Sequence, residues 1–239
     1  MSLKRYALVT GAGKGLGREI ALRLAGKAAG VAVHYLKDKG AAGETTRLIR
    51  KKGKESFALG ADLTSEKEAA ALIGRVEQKF GRLDILVNNV GPILMKPWLE
   101  LGASDWDMIL RANLQGSFFC MKAALPGMLR QKWGRVINIG YSRAEQLVAF
   151  PTITAYAAAK TGLLILTRTA AAAEAGSGVT INMVSPGLLE GGALPSGGKV
   201  NPKTLGTFAD VGQAVSFLAS DEAGAITGAN LIVAGTWKM

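Results

Sequence analysis

The sequence predicts a doubly wound α/β fold: one parallel β-sheet with helices on both faces. Three observations lead there. Strand and helix patterns alternate through most of the 239 residues. The strands are apolar on both faces, as in sheets covered from both sides. A glycine-rich turn joins the first strand directly to the first helix, at the edge where such sheets bind ligands.

In chain order, an apolar run at 6–10 reads as the first strand, and a helical pattern follows over 16–28. A second strand at 31–35 leads to a helix running to about residue 52, and a third at 56–60 precedes a helix at 66–80. The run LDILVNN supplies a fourth strand over 83–87. Two long helical regions, 103–129 and 154–175, flank a fifth strand at 135–139. A sixth strand at 179–184 ends in Pro186-Gly187, a last helix covers 210–218, and 230–233 forms a seventh strand. Only residues 188–207 break the rhythm. They are rich in Gly, Pro and Ser, lie at the same sheet edge as the other loops, and read as a substrate lid within one domain spanning 1–239.

Composition limits the function classes. A 49% apolar content gives enough surface for a folded core. No apolar run reaches the roughly 18 residues of a membrane span, and the glycine turn arrives before a secretory core could form, so a cytoplasmic protein is expected, with no membrane partner. The formal charge of +11 would attract anions, but it is dispersed over many segments and no nucleic-acid motif stands out. The single cysteine, Cys120, reads as a buried helical residue, and no cysteine or histidine cluster suggests a metal. The single histidine, His34, lies at the end of the second strand and reads as a structural or ribose-edge residue.

Thr10-Gly11-Ala12-Gly13-Lys14-Gly15-Leu16-Gly17 is the candidate pyrophosphate cradle. Glycines permit a tight turn and close approach, and the helix N-terminus offers free N–H groups and a favourable dipole. Asp62 and Leu63 after the third strand could address the adenine, while Asn89 and Gly91 lie beyond the fourth strand. The ribose edge, Tyr35-Leu36-Lys37-Asp38-Lys39, has no acid at the strand tip. With Lys14 and Lys37 nearby, that favours NADP(H); Asp38 leaves NAD(H) open.

Tyr156-Ala157-Ala158-Ala159-Lys160 places a phenol and an amine one helical turn apart. A lysine ammonium there would favour the phenolate and suit the tyrosine to acid/base work. The ordered set of GxxxGxG, NNxG, a polar segment after the fifth strand, YxxxK and Pro-Gly resembles the extended-core short-chain dehydrogenase/reductase family, particularly its 3-oxoacyl-[acyl-carrier-protein] reductases, over nearly the whole chain.

The resemblance implies a single-domain Rossmann-like sheet in the order 3-2-1-4-5-6-7 and hydride transfer between a nicotinamide and a carbonyl carbon. It implies catalytic roles for Tyr156 as acid/base, Lys160 beside the nicotinamide ribose, and Asn113 in a water-linked proton relay. It places Pro186, Gly187 and the Leu188 N–H at the nicotinamide. The family serine commonly stands thirteen residues before the tyrosine, a place held here by Arg143; Ser142 and Tyr141 are the alternatives. Val233-Ala234-Gly235 replaces the usual Val-Asp-Gly. The resemblance further implies a homotetramer or homodimer built on the helices of Asn113 and Tyr156. The expected substrate is a 3-oxoacyl thioester delivered by an acidic acyl carrier protein; a small ketone, sugar or polyol, or a non-catalytic nucleotide-binding regulator, are the alternatives.

Trp98 and Trp106, flanking the helix after the fourth strand, are expected to pack, and Asp105 and Asp107 to occupy that helix's first turn. Glu145 lies near the substrate loop.

Overall fold

The computed structural model describes residues 4–192 and 201–235. The strands are β1 (Tyr6–Val9), β2 (Gly30–Tyr35), β3 (Glu55–Gly60), β4 (Ile85–Asn88), β5 (Gly134–Ile139), β6 (Val179–Pro186) and β7 (Asn230–Val233). They form one sheet in the order β3-β2-β1-β4-β5-β6-β7, and every pairing is parallel. This is the predicted architecture.

The helices are α1 (Gly15–Leu24), α2 (Lys39–Lys51), α3 (Glu66–Phe80), α4 (Ala103–Leu110), α5 (Gly116–Arg130), α6 (Thr154–Ala173) and α7 (Phe208–Leu218). Val9, Val33 and Val87 face a core that includes Ile20 and Leu24 of α1 and Val211 and Val215 of α7. Leu8, Leu86 and Val136 face the opposite core, with Leu72 and Val76 of α3 and Cys120 and Met128 of α5. Alternate residues of one strand thus enter opposite layers, which is why these strands read as continuous apolar runs. Cys120 is buried, and burial pushes its thiol up to about 12. No helix among the described residues is long and apolar enough to cross a membrane.

Several expectations require correction. The helix expected over 16–28 ends at Leu24, because Gly26, Lys27 and Ala28 turn back through hydrogen bonds to Arg23 and Leu24 and lead into β2. The helix expected to run through 103–129 is interrupted by a π-turn over Arg111–Gln115. Asp105 does occupy the first turn of α4, where it receives the Gly102 N–H at 3.2 Å and pairs with Lys96, but Asp107 lies beyond that turn. Trp98 is 63% exposed rather than packed. Its backbone N–H is held by Pro151 O at 2.9 Å, while its ring and Trp106 line a shallow apolar cleft beside Thr154.

At the N-terminal ends of the strands, Asp84 is fully buried and receives Arg82 and the Tyr6 N–H. Arg5 and Arg135 lie over the Trp133 ring at 3.8 and 4.3 Å from its centroid. This polar and aromatic set ties β1, β4 and β5 together at one edge and leaves the other edge to the loops that carry the candidate site.

Of the expected lid at 188–207, residues 193–200 lie outside the described residues. Its two ends meet: Gly206 N–H donates to Leu188 O at 3.1 Å and Glu190 N–H to Gly206 O at 2.9 Å. The segment therefore leaves and returns at one point, beyond β6.

Candidate active site

The first loop is built by close approach. Gly15 opens α1 at a φ of +54°, and a Cβ at Gly17 would come within 2.5 Å of Asn89 Nδ2 and nearer still to Gly11 O. Glycine at position 17 lets α1 start against the turn and against the loop after β4. Asn89 Nδ2 donates to Thr10 O at 2.9 Å and Gly11 O at 3.2 Å, and Thr10 Oγ1 receives the N–H groups of Asn89 and Val90. The Asn89 side chain is thereby committed to holding two loops together. Arg18 adds a third brace through Gly13 O at 2.6 Å and Thr45 Oγ1 at 3.0 Å. Sequence reasoning places Thr10 in the cradle without its bracing role and does not include Arg18; their partners lie on loops distant in the chain. With Gly11, Gly13 and Leu16 supplying the turn, the loop presents its backbone toward the α1 N-terminus.

At the ribose edge, Asp38 is the N-cap of α2 and accepts the Ala41 N–H at 2.8 Å. Its carboxylate is engaged by its own helix, which is the ordinary use of aspartate there. Lys14 and Lys37 are exposed. The Tyr35 ring lies against Gly60, where a Cβ would meet it at 3.1 Å. Asp62 Oδ1 receives both the N–H and the hydroxyl of Thr64, and Leu63 is buried beside Gly116.

The second half of the site is assembled around α6. Tyr156 and Lys160 lie one turn apart, and Lys160 is only 2% exposed, with Nζ donating to Ile139 O at 2.7 Å. Burial lowers the lysine to about 7 and, with the nearby Tyr141 phenol as a smaller cause, raises Tyr156 above its ordinary value. This departs from the expectation that Lys160 lowers the tyrosine. The amine stands 5.8 Å from the Tyr156 ring centroid, and the protein's own surroundings desolvate both groups.

Asn113 is fully buried in the π-turn, which Gly116 closes by donating to Arg111 O. A π-turn inserts one extra residue and swings a side chain off the regular helical face. Here it turns Asn113 inward: Nδ2 donates to Pro92 O at 2.9 Å and Ile109 O at 3.0 Å, while Oδ1 has no hydrogen-bond partner among the described residues. A Cβ on Gly91 would lie 2.6 Å from that Oδ1 and 2.8 Å from Lys160 Nζ. An acceptor lacking a partner and a buried amine therefore converge on the space that Gly91 leaves open.

Beyond β5, the pairing with β6 continues past the strand. Gly140 N–H donates to Val184 O and Ser142 N–H to Pro186 O at 2.9 Å. Ser142 is thus held beside the end of β6, next to Gly187, whose missing Cβ would overlap Ala234. Tyr141 is packed edge-on to Tyr156, with ring centroids 5.9 Å apart, and joins Ala144, Leu163 and Met183 in a small core. Beneath the site, Asn88 donates to Asn138 and Asn138 to Thr167, a buried chain fastening β4, β5 and α6. That chain was also missed; its residues look like isolated polar positions until the sheet is assembled. Glu145 pairs with Arg168 of α6.

The geometry brings the first loop, the ends of β4 and β6, the π-turn and the start of α6 to one sheet edge. Residues 11–236 match the family described as Enoyl-(Acyl carrier protein) reductase. The 3-oxoacyl-[acyl-carrier-protein] reductase FabG of Staphylococcus aureus is 38% identical over 248 aligned positions, covering all of both chains. The chain belongs to the short-chain dehydrogenase/reductase family. A short-chain type dehydrogenase/reductase of Picea abies is 37% identical and covers 91% of this chain and 86% of its own. Among solved structures, acetoin dehydrogenase from Enterobacter cloacae superimposes with a TM-score of 0.88 at 30% identity, covering 98% of this chain and 96% of its own. A blue fluorescent protein from a metagenomic library, in complex with NADPH, superimposes with a TM-score of 0.90 at 29% identity over the whole of both chains. As a member of this family the chain is an oxidoreductase that uses a nicotinamide cofactor, NAD(P)H.

Proposed function

We propose that the protein is an NADP(H)-dependent reductase of 3-oxoacyl thioesters, with Tyr156 as proton donor, Lys160 and Asn113 behind it, and Ser142 as the hydrogen-bond donor to the substrate oxygen. The observation that carries the chemistry is the convergence of Asn113 Oδ1 and Lys160 Nζ on the open space at Gly91, with the same Lys160 Nζ 5.8 Å from the Tyr156 ring centroid. The cradle from Gly11 to Gly17 and the partnerless Asn113 oxygen both fit a dinucleotide and a relay of waters.

Gly11, Lys14, Gly15, Leu16 and Gly17 would hold the pyrophosphate; Tyr35 and Lys37 the adenosine ribose and its phosphate; Asp62 and Leu63 the adenine. Asn89, Gly91, Pro186, Gly187 and the Leu188 N–H would border the nicotinamide end. A bound NADPH supplies the hydride. Tyr156 donates its proton to the carbonyl oxygen, and Lys160 Nζ, with Asn113 Oδ1 as the acceptor for a bridging water, passes a replacement toward the phenol. Burial keeps the Tyr156 phenol protonated at neutral pH, the form a proton donor requires. Ser142 fits the oxygen-binding role better than Tyr141, because its backbone is held at Pro186 while the Tyr141 ring is built into the core beside α6. The capping role of Asp38, with Lys14 and Lys37 exposed nearby, supports NADP(H) over NAD(H).

The substrate assignment rests on the Staphylococcus relatives, the net charge of +11, which suits an acidic acyl carrier protein, and a lid reading of 188–207. We assign a homotetramer, or a homodimer within it, to the outer faces of α5 and α6, where Phe118 and Ile165 are 40% and 64% exposed. The deciding assay monitors NADPH and NADH oxidation with a short 3-oxoacyl thioester, an enoyl thioester and simple ketones. Rapid NADPH loss with the 3-oxoacyl thioester is expected. The family description brings in the enoyl thioester, and turnover of that substrate alone would replace the assignment. Turnover only with a ketone would move it to a small carbonyl compound.

A Gly91→Ala variant tests the relay. Its methyl group enters the space between Asn113 Oδ1 and Lys160 Nζ, so turnover should fall by about 10²-fold, the lower end of what a positioned proton transfer contributes. The cofactor Kd should change far less. An equal loss in binding and turnover would mean that Gly91 serves the cofactor alone.

A further inference from the structure

Two segments that border the proposed dinucleotide site are joined by one side chain. His34 at the tip of β2 is 2% exposed. Its Nδ1 accepts the Gly11 N–H at 3.1 Å, and its Nε2 lies 3.0 Å from Ala61 O. These contacts settle the tautomer: Nδ1 must be bare to accept from Gly11, so the proton resides on Nε2 and is donated to Ala61 O. The His34 carbonyl also receives the Ala12 N–H at 3.0 Å. Backbone and ring together fasten the start of the glycine loop to β2 and to the exit of β3, where Asp62 and Leu63 follow.

We propose that His34 is a positioning residue for the cofactor, a neutral-imidazole clip that holds the Gly11 loop and the Ala61–Asp62 turn in their binding arrangement and releases the loop when Nδ1 is protonated. This rests on reading both segments as parts of the dinucleotide site. Protonation replaces the acceptor at Nδ1 with a second donor facing the Gly11 N–H, so a part-buried backbone donor loses its partner. Burial is the main influence and keeps the ring neutral below its ordinary value of 6.5. The hydrogen bond to Ala61 works against that, Arg75 of α3 reinforces it, and Asp62 beyond β3 opposes it. Gly11 and Ala12 bring no ionisable side chain. The clip is therefore intact at neutral pH and is lost as pH falls through the lowered value. By linkage, cofactor binding must lower it further.

The chain's only histidine gives a single pair of imidazole nitrogen signals. Nitrogen-15 spectra of the full-length protein should show the Nε2–H tautomer at pH 8, and the Gly11 amide should shift with the same midpoint as the ring. Saturation with NADP⁺ should move that midpoint to lower pH. Binding titrations with NADP⁺ provide the second arm. Across the pH interval in which the spectra show the ring titrating, the wild type should weaken by about tenfold more than His34→Gln, the factor expected when a backbone donor loses its partner. The variant's amide has no proton to gain over this range, so it is the non-titrating reference. An Nδ1–H tautomer, a Gly11 amide indifferent to the ring's titration, or equal acid weakening in the two proteins would overturn the proposal. A wild type that binds neither NADP⁺ nor NAD⁺ at pH 8 would overturn the dinucleotide reading and with it the coupling, while the tautomer and the Gly11 response would still decide whether the clip exists.

Discussion

Tyr156→Phe should lower turnover by about 10³-fold, within the range that a positioned proton donor contributes, while leaving the NADP⁺ Kd within about twofold of wild type. The substitution removes one oxygen and keeps the ring. That ring packs edge-on to Tyr141 and against the cluster of Ile109, Ala155 and Ala159, so the fold and the α6 position should survive. Melting temperature and cofactor titration check that survival directly. The pH dependence gives a second, signed test. Burial raises the Tyr156 phenol, so the acid form needed for carbonyl reduction persists through neutral pH. The phenol should therefore add no titration of its own to reduction across neutral pH, whereas alcohol oxidation, which requires the phenolate, should climb as pH rises. Turnover that survives in Tyr156→Phe would assign the proton to another donor. Loss of cofactor binding as well would assign the tyrosine a structural role.

The sheet was readable because a parallel sheet covered on both faces must be written in apolar runs, and each run here ends at a loop. Glycine spacing and the Tyr156/Lys160 interval were readable because each is a local pattern. Departures occur where tertiary packing decides. The π-turn at Arg111–Gln115 leaves no mark in hydrophobic periodicity; within it Asn113 donates to Pro92 O and Ile109 O. Thr10 and Arg18 resemble ordinary turn and helix residues until Asn89 and Thr45 arrive from other loops. Counting back from Tyr156 leaves both Ser142 and Tyr141 open; the structure adds that the Ser142 N–H donates to Pro186 O, which holds its backbone beside the end of β6. The electrostatics were the least legible part. A lysine four residues from a tyrosine suggests a charged neighbour that lowers the phenol, but the same helix buries the amine and pushes it toward neutrality.

That conflict yields the second large effect. Lys160→Met should abolish measurable turnover and at the same time make the protein more stable at pH 7. Burial depresses the amine from 10.5 to about 7, so holding the proton in the folded state is unfavourable. Proton counting gives the sign. Between about pH 7 and 10.5 the unfolded chain carries a proton on Lys160 that the folded chain has released, so stability rises with pH through that window; below it the full penalty applies. Methionine fills similar volume without the charge. Its gain is offset by leaving Ile139 O without the 2.7 Å hydrogen bond, which leaves a net stabilisation of roughly 2 kcal/mol, or about 5 °C in Tm for a chain of this size. Melting curves at pH 7 and pH 10 measure it: the variant should exceed wild type at pH 7, and the margin should shrink at pH 10. A variant less stable at both pH values would mean that the Ile139 bond and the packing outweigh the buried charge. Greater stability together with lost activity is the signature of a site where chemistry requires an amine and the fold alone would place a hydrocarbon.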